Sequence, residues 1–177
     1  INSNYYCYAQ ESAWTSDWKR SYMFLTPAIS KSEKYADSAI ALSYMDIGEV
    51  AKWKETRYLK RGSEYEEFKQ ERAEILINEI AQRFPEFKSS IEKVYSSTPL
   101  TFRDYVGARN GALYGTLRDC SEPHKSFISP KTRIKNLYLS GQNIILHGIL
   151  GVTIGAVLTC GSILGFDYLL GKIKDEL

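Results

Sequence analysis

The chain has 177 residues, of which 44% are hydrophobic and 25% are charged, a composition that excludes a disordered protein. Its length is enough for one domain with a full core or for two smaller pieces. The net charge of +2, with no stripe of Lys and Arg among aromatic residues, gives no indication of a nucleic-acid partner.

The first part of the chain, residues 1–45, is rich in aromatic side chains and contains two predicted strands. The apolar residues 22–25 predict a short strand that ends at Pro27. A polar turn is predicted at residues 30–34. Residues 38–45 are apolar enough to predict a second strand that is buried on both faces.

Helices are predicted after these strands. Residues 49–58 predict a short helix, and residues 87–90 predict a further helical turn. Between them, Ser63 and Glu66 form the pattern of a capping box, which predicts the start of a longer helix that ends at Pro85. The apolar residues of this helix recur with helical spacing and are expected to pack on the sheet: Tyr65, Phe68, Ala73, Leu76, Ile80 and Phe84.

The middle of the chain combines short elements with closely spaced glycines. Residues 91–96 predict a strand, and residues 101–105 predict a short helix that Thr101 caps. Residues 118–135 predict a polar loop, in which His124 is expected to be exposed. Three glycines recur at four-residue intervals and predict a close approach of the backbone to another backbone or to a ligand: Gly107, Gly111 and Gly115.

The C-terminal part of the chain predicts a site for an electron-rich group. Residues 137–140 predict a short buried strand, which ends at Gly141. The apolar residues 144–165 contain five glycines and predict a helix that a glycine opens. Such a strand, turn and helix present free backbone N–H groups and a positive helix end, which can hold a phosphate or another electron-rich group. Residues 166–177 predict a final amphipathic helix.

Residues 144–166 also fit a transmembrane helix, which is a second interpretation of the same segment. Their length is near the roughly 20 apolar residues that a span needs. Gly151 and Gly155 form a GxxxG pattern, which occurs where membrane helices pack. However, His147 lies inside the segment, and the nearest upstream basic residues are separated from it by the predicted strand. These flanks favour a buried helix over a membrane span.

Other features of the sequence concern compartment and processing. Three cysteines at unrelated spacings predict reduced thiols, a cytoplasmic location and no metal site. The chain lacks both a start Met and a secretory signal, so we expect it to be a piece of a longer protein. Residues 174–177 spell Lys-Asp-Glu-Leu, which is either an endoplasmic-reticulum retention signal or simply the end of the last helix. His147 is expected to be a core or loop histidine rather than a catalyst.

Two blocks of sequence resemble the phytoene desaturase and retinol saturase family. Residues 136–143, Asn-Leu-Tyr-Leu-Ser-Gly-Gln-Asn, and the glycine-rich residues 147–156 are similar to the C-terminal flavin motif of that family. The Ser-Thr-Pro-Leu-Thr of residues 97–101 and the Gly-Ala-Leu-Tyr-Gly of residues 111–115 are similar to a second block, in the same order. The resemblance is closest to the retinol saturase branch. Because no GxGxxG follows a strand, the N-terminal FAD-binding half of the family is missing from this chain.

The resemblance implies the C-terminal part of a FAD-dependent oxidoreductase. The enzyme would desaturate or saturate a carbon–carbon bond of an apolar polyene, such as a carotenoid or a retinoid. The N-terminal FAD-binding half of the same protein is the implied partner, so this fragment alone is not expected to retain FAD. The resemblance also implies six cofactor-binding residues, the first two near the ribityl and pyrophosphate and the last three near the isoalloxazine ring: Gly141, Gln142, Asn143, Gly148, Gly151 and Val152.

These expectations combine into one fold class and one division of the chain. The fold class is α+β, with a mixed or antiparallel sheet and covering helices, followed by the C-terminal strand and helix of a FAD-binding domain. Residues 1–132 are the predicted substrate-binding part, in which residues 1–45 help to line an apolar pocket, and residues 133–177 complete the FAD-binding domain. No catalytic acid or base stands out. The alternative function is a non-catalytic membrane-anchored or lipid-binding module, and a peripheral position on a membrane fits either function.

Overall fold

The chain divides into two compact units, Ile1–Ala112 and Leu113–Leu177. The polar turn predicted at residues 30–34 lies outside the residues that the structure describes, and so does Cys120. The computed structural model describes the following residues: 3–8, 18–27, 36–116, 118–119 and 121–176.

The first unit contains a three-stranded antiparallel sheet in the order β1-β2-β3. Its strands are β1 (Ser3–Cys7), β2 (Tyr22–Thr26) and β3 (Ile40–Ser43). The α+β class with an antiparallel sheet is thereby confirmed, and so is the strand at residues 22–25. The second predicted strand is present but short, and the expectation that it is buried on both faces is wrong. Among the described strands β3 pairs with β2 alone, and at this edge Ile40 is 45% exposed.

A long helix, α1 (Ser63–Arg83), and a short helix, α2 (Pro85–Ser89), follow the sheet and confirm two predicted elements. The buried residues of α1 are Tyr65 and Ile80, which lie near opposite ends of the predicted apolar stripe. Each contributes to a separate core cluster, and only the second cluster includes residues of the sheet. The first cluster contains Val50, Trp53, Tyr65 and Leu100, and the second contains Tyr22, Phe24 and Ile80.

A 3₁₀ helix, Ile47–Trp53, stands where the sequence predicts a short helix at residues 49–58. A capping box opens it, because the Asp46 carboxylate accepts a hydrogen bond from the Gly48 N–H at 2.7 Å. The Glu49 carboxylate in turn accepts the Asp46 N–H at 3.1 Å. Both hydrogen bonds give a partner to a backbone N–H group that has none within the helix.

The capping box predicted at Ser63 and Glu66 is wrong. The helix α1 begins after Gly62, whose φ of 81° is left-handed, and no side-chain hydrogen bond caps it there. Ser63 is therefore already a helical residue. The turn at Gly62 decides where the helix starts, and the Ser-to-Glu spacing has no capping role.

The helix α3 (Pro99–Val106) begins two residues before the helix predicted at residues 101–105. Thr98 caps it, since its Oγ1 accepts a hydrogen bond from the Leu100 N–H at 3.2 Å. The Thr101 hydroxyl oxygen accepts the Thr98 N–H at 3.4 Å, so Thr101 completes the capping box and is not itself the cap. Proline at the first helical position explains the earlier start, because its fixed φ suits a helix.

The strand predicted at residues 91–96 is wrong, because these residues form an irregular connection between α2 and α3 in which Tyr95 is exposed. The prediction of close backbone approaches holds at Gly111, where an added Cβ would lie 1.9 Å from the Pro99 carbonyl oxygen. It is wrong at Gly107, which has open space around it and instead ends α3 in a left-handed conformation with a φ of 71°.

The second unit contains a long segment with a short 3₁₀ helix, Pro123–Ser126, followed by two helices, α4 (Gly148–Leu164) and α5 (Phe166–Asp175). Both α4 and α5 were predicted. The strand predicted at residues 137–140 is wrong, because Tyr138 makes only one isolated bridge, to Lys131. A strand needs a neighbour along its length, and the described part of this unit offers none. Over the same described residues, no helix is both long enough and apolar enough to cross a membrane.

Candidate functional site

The candidate site is the C-terminal loop, residues 141–147, together with the first turn of α4. A second segment lies against this loop within the same unit. We name it the clamp segment; its described residues are Tyr114, Gly115, Thr116 and Arg118. Tyr114 and Gly115 belong to one of the two sequence blocks that resemble one family, Gln142, Asn143 and His147 belong to the other, and the structure brings them into contact.

Two side chains of the clamp segment hold consecutive carbonyl groups of the C-terminal loop. The Thr116 hydroxyl donates a hydrogen bond to the Asn143 carbonyl oxygen at 3.0 Å. The Arg118 guanidinium donates through Nη2 to the Ile144 carbonyl oxygen at 2.9 Å. The loop is closed on itself as well, since the Ile144 N–H donates to the Gly141 carbonyl oxygen at 3.1 Å.

Gly115 allows the two segments to approach each other closely. An added Cβ would lie 2.5 Å from the Gln142 carbonyl oxygen and 2.8 Å from the Asn143 Cα. Real Cβ atoms do not make such contacts, so any other residue would push the segments apart. The close approach predicted for Gly115 is confirmed.

The helix α4 opens with a glycine, as predicted. Gly148 is its first residue and has a φ of 75°. His147 stands at the N-cap position in an extended conformation, without a side-chain hydrogen bond to the helix. The Tyr114 ring lies 4.2 Å from the His147 ring, centroid to centroid, so the clamp segment also contacts the residue before α4. His147 is thus an exposed loop histidine, and His124 is exposed too, both as expected.

The inner face of α4 carries small residues that pack against the segment preceding the helix. An added Cβ at Gly151 would lie 2.5 Å from the Leu146 Cβ, and at Gly155 it would meet Ile145 at 3.6 Å. The Thr159 hydroxyl lies 3.1 Å from the Leu139 carbonyl oxygen and 2.9 Å from that of Gly155, and donates to them. Gly151, one of the predicted cofactor-binding residues, therefore has a packing reason to be glycine.

The six predicted site residues lie on one continuous piece of chain, the C-terminal loop and the first turns of α4. Gly141 is half-buried, the Gln142 carbonyl and the Asn143 backbone face Gly115, and Val152 is exposed on α4. Their contact with a cofactor stays a prediction. Among the described residues, no cluster of His, Cys, Asp and Glu could hold a metal ion.

The C-terminal loop and the start of α4 combine two glycines in open space with a helix N-terminus. Gly141 and Gly148 have φ values of 103° and 75°, and nothing lies within 4 Å of a Cβ added at either. Open space beside a glycine backbone lets a ligand approach the main chain. The amides at the start of α4 carry the positive end of the helix dipole. Gly141 and Gly148 therefore leave the main chain accessible, whereas the Cβ position of Gly151 is filled by Leu146.

The sequence did not predict the roles of Thr116 and Arg118. Both contacts cross 26 or 27 residues of chain, so no local pattern reveals them. Arg118 stands at the start of a polar loop, where an arginine is ordinarily solvated. The one available signal was Gly115, one residue before Thr116 and three before Arg118, which indicated a close backbone contact.

Comparison with curated proteins relates the chain to the retinol saturase oxidoreductases. The chain is 34% identical over 126 residues to the all-trans-retinol 13,14-reductase of Danio rerio and 36% identical over 108 residues to that of Homo sapiens. The matches cover 70% and 59% of this chain, but 21% and 18% of those proteins. An inactive all-trans-retinol 13,14-reductase of Danio rerio is 30% identical over 128 residues, or 69% of this chain and 21% of that protein.

The chain is therefore homologous to a part of the all-trans-retinol 13,14-reductases, and the resemblance found in the sequence is confirmed. It spans about a fifth of the length of the curated relatives that it matches. No protein-family model matches the chain. No solved structure matches it significantly.

Proposed function

We propose that the chain is the C-terminal part of a FAD-dependent oxidoreductase that desaturates or saturates a carbon–carbon bond of an apolar polyene, a carotenoid or a retinoid. The observation that carries the proposal is the homology to all-trans-retinol 13,14-reductases over 70% of the chain. Contacts between the two family-like sequence blocks support it, because Gly115 lies directly against the Gln142 and Asn143 backbone and the Tyr114 ring lies 4.2 Å from the His147 ring.

The backbone of the C-terminal loop and of α4 would hold the cofactor. Gly141 and Gln142 would lie near the ribityl and pyrophosphate, with Asn143 beside them. Gly148, Gly151 and Val152 would lie beside the isoalloxazine ring, with the free main-chain N–H groups of the first turn of α4 directed toward it, and Gly151 also packs on Leu146. The flavin, when bound, supplies the hydride chemistry, and the protein orients an apolar substrate and excludes water.

The N-terminal FAD-binding half of the same protein is the proposed partner. Several large apolar side chains of α4 point outward, and Ile149 and Leu150 are 91% and 73% exposed. A patch of this kind usually marks a surface that another chain segment or a ligand covers. The first unit would then form part of the substrate domain, with residues 1–45 near an apolar pocket. The functional boundary between residues 132 and 133 is part of this proposal.

Reconstitution tests the proposed function. The chain and its N-terminal half are produced separately, mixed with FAD and freed of unbound cofactor. We expect flavin absorbance only in the mixture, because each part supplies one wall of the cofactor site. Tight stoichiometric FAD on this chain alone would contradict the need for a missing half. Product analysis with retinol and with a carotenoid then decides the substrate and the direction of the reaction.

A non-catalytic lipid-binding module is the second candidate, and the exposed apolar face of α4 is the observation that favours it. The helix α5 adds an amphipathic surface with Lys172 and Lys174 in its last turn. Sedimentation with vesicles distinguishes the two candidates. Strong binding of this chain to vesicles, combined with no flavin in the reconstituted protein, would favour the lipid-binding module. The chain is also similar to an inactive all-trans-retinol 13,14-reductase, so homology alone does not establish catalytic activity. The product assay with retinol and a carotenoid is therefore necessary.

A further inference from the structure

We infer that the clamp segment, which precedes the proposed boundary between residues 132 and 133, is a positioning element of the proposed cofactor site. The inference rests on the proposed function and adds residues to it. Thr116 and Arg118 would not touch the cofactor. They would act through the backbone of the C-terminal loop.

The first argument is the type of contact. Thr116 and Arg118 both bind main-chain carbonyl oxygens, at Asn143 and Ile144, and so fix the path of the backbone. The proposed contacts between this loop and the cofactor are main-chain contacts too. A small shift of the loop would therefore move the groups that are to meet the cofactor, whatever the loop side chains are.

The second argument is that the clamp segment and the C-terminal loop are closely packed against each other. Gly115 leaves no room for a side chain against the Gln142 carbonyl oxygen. Tyr114, next to it, packs its ring on His147 at the start of α4. The clamp segment thus contacts the loop at four residues, Gln142, Asn143, Ile144 and His147, and it does so inside one compact unit.

The third argument is that few large apolar side chains of the loop are buried, although Ile145 and Leu146 pack against Gly155 and Gly151 of α4. Ile145 is its one buried large hydrophobic residue. A loop with few buried apolar contacts takes its order from hydrogen bonds. The bond from Arg118 is charge-assisted, which is the stronger kind, and Arg118 is half-buried. Loss of the clamp would leave the loop free to move without unfolding the unit.

The first test measures the loop in the chain alone, by amide hydrogen exchange of Ile144. Arg118→Met keeps the length of the side chain and removes its donors, and Arg133→Met, at an exposed arginine of the same unit, is the matched control. We expect the Ile144 amide to exchange about tenfold faster in Arg118→Met. A hydrogen bond from a charged group stabilises a structure by enough to change an opening equilibrium about tenfold. The control should stay within about twofold of the unmodified chain. Equal rates in both variants would overturn the inference.

The second test uses the full-length protein and a readout that mere destabilisation does not move. FAD affinity and the visible circular dichroism of the bound flavin are measured for Thr116→Val, Thr116→Ser and Gly115→Ala, at a temperature where all variants are folded. We expect about tenfold weaker FAD binding and an altered flavin signal in Thr116→Val and Gly115→Ala. Thr116→Ser, which keeps the hydroxyl, should restore both.

The outcomes separate this inference from the proposed function. If the unmodified full-length protein binds no FAD, the proposed function fails and the positioning role fails with it. If that protein binds FAD and the variants match it in affinity and in flavin signal, the positioning role alone is overturned. Gly171→Ala serves as the control for a glycine with open surroundings and should leave FAD binding unchanged.

Discussion

The two units of the chain are packed by opposite kinds of residue. The first unit buries large side chains, such as Trp53 against Tyr65 with ring centroids 5.2 Å apart, and it leaves Leu100 and Ile80 no exposed surface. In α4 of the second unit, the buried residues are small, and the large ones face outward. Three glycines and one threonine make up the buried face of α4: Gly151, Gly155, Thr159 and Gly161.

This difference indicates how each unit is stabilised. Burying a large apolar side chain stabilises a fold by about 1.5–3 kcal/mol. The first unit buries several such side chains, and each contributes on this scale. A hydrogen bond such as those of the clamp segment contributes a net of about 0.5–1.5 kcal/mol. The second unit relies on such bonds and on close backbone packing, while the apolar surface that could stabilise it lies outside. The first unit is stabilised by its own buried side chains, whereas the second exposes apolar side chains that a further segment could cover.

The largest expected effect is a cavity in the first unit. Leu100→Ala should lower the free energy of unfolding by about 3–5 kcal/mol, because Leu100 is fully buried in the cluster with Trp53 and Tyr65. Leu150→Ala is the matched control, since Leu150 is largely exposed on α4, and it should cost less than about 0.5 kcal/mol. Denaturant unfolding of the isolated chain measures both. Similar losses for the two variants would remove the contrast between the units.

A buried ion pair in the first unit gives the next effect. Arg61 and Asp104 form it, with the Arg61 side chain 2% exposed and its Nε without a hydrogen-bond partner in the described structure. Asp104→Asn should cost about 2–3 kcal/mol, because it leaves a buried guanidinium uncompensated. Arg61→Met with Asp104→Asn should recover part of that loss, since the buried guanidinium is removed together with its partner. A double variant no better than Asp104→Asn would contradict this explanation.

The same pair predicts a dependence on pH. Burial alone would raise the pKa of Asp104, but hydrogen bonds from Arg103 and Arg61 and their positive charges together hold that pKa below its ordinary value of 3.8. The stabilisation is therefore complete above about pH 5 and is lost as the pH falls through the ordinary pKa and then through the lowered pKa of the folded protein. Below pH 4, the free energy of unfolding should change less with pH in Asp104→Asn than in the unmodified chain.

A smaller effect is expected where two helices meet in the second unit. An alanine Cβ at Gly161 would lie 2.3 Å from Cε1 of the Phe166 ring, so the ring must move. Gly161→Ala should cost about 1–2 kcal/mol by overpacking. Combining it with Phe166→Ala should remove the clash, and the coupling between the two changes is the measured quantity. Additive losses would show that the two residues do not interact.

The elements that the sequence predicted correctly have local causes. The apolar stripe of α1 repeats with the helical period and ends before Pro85, and both features lie within a few residues of one another. The glycine that opens α4 is likewise local. The errors come from interactions that no short stretch contains. Residues 137–140 have the composition of a strand, but pairing needs a neighbouring strand that the described residues do not supply.

The same limit applies to the candidate site. The C-terminal loop could be predicted because its glycines and amides stand next to one another and resemble a known motif. Arg118 could not, because the carbonyl group that it binds belongs to Ile144. Gly151 shows a different limit, since a glycine beside a cofactor and a glycine under Leu146 look identical in sequence. Only the position of the neighbouring atoms separates those two explanations.

The smallest effect on stability is the sharpest test of the contrast between the units. Ile149→Ser replaces the most exposed apolar residue of α4, so the chain alone should lose less than about 0.5 kcal/mol. If the N-terminal half covers this face, the same change should weaken its binding, because a buried serine hydroxyl without a partner costs about 1–3 kcal/mol. Association is measured by titrating one half into the other, with Ile40→Ser on β3 as the control for an exposed apolar residue of the first unit. A second unit that associates equally well with serine at this position is not covered there, and its outward apolar face then needs another explanation.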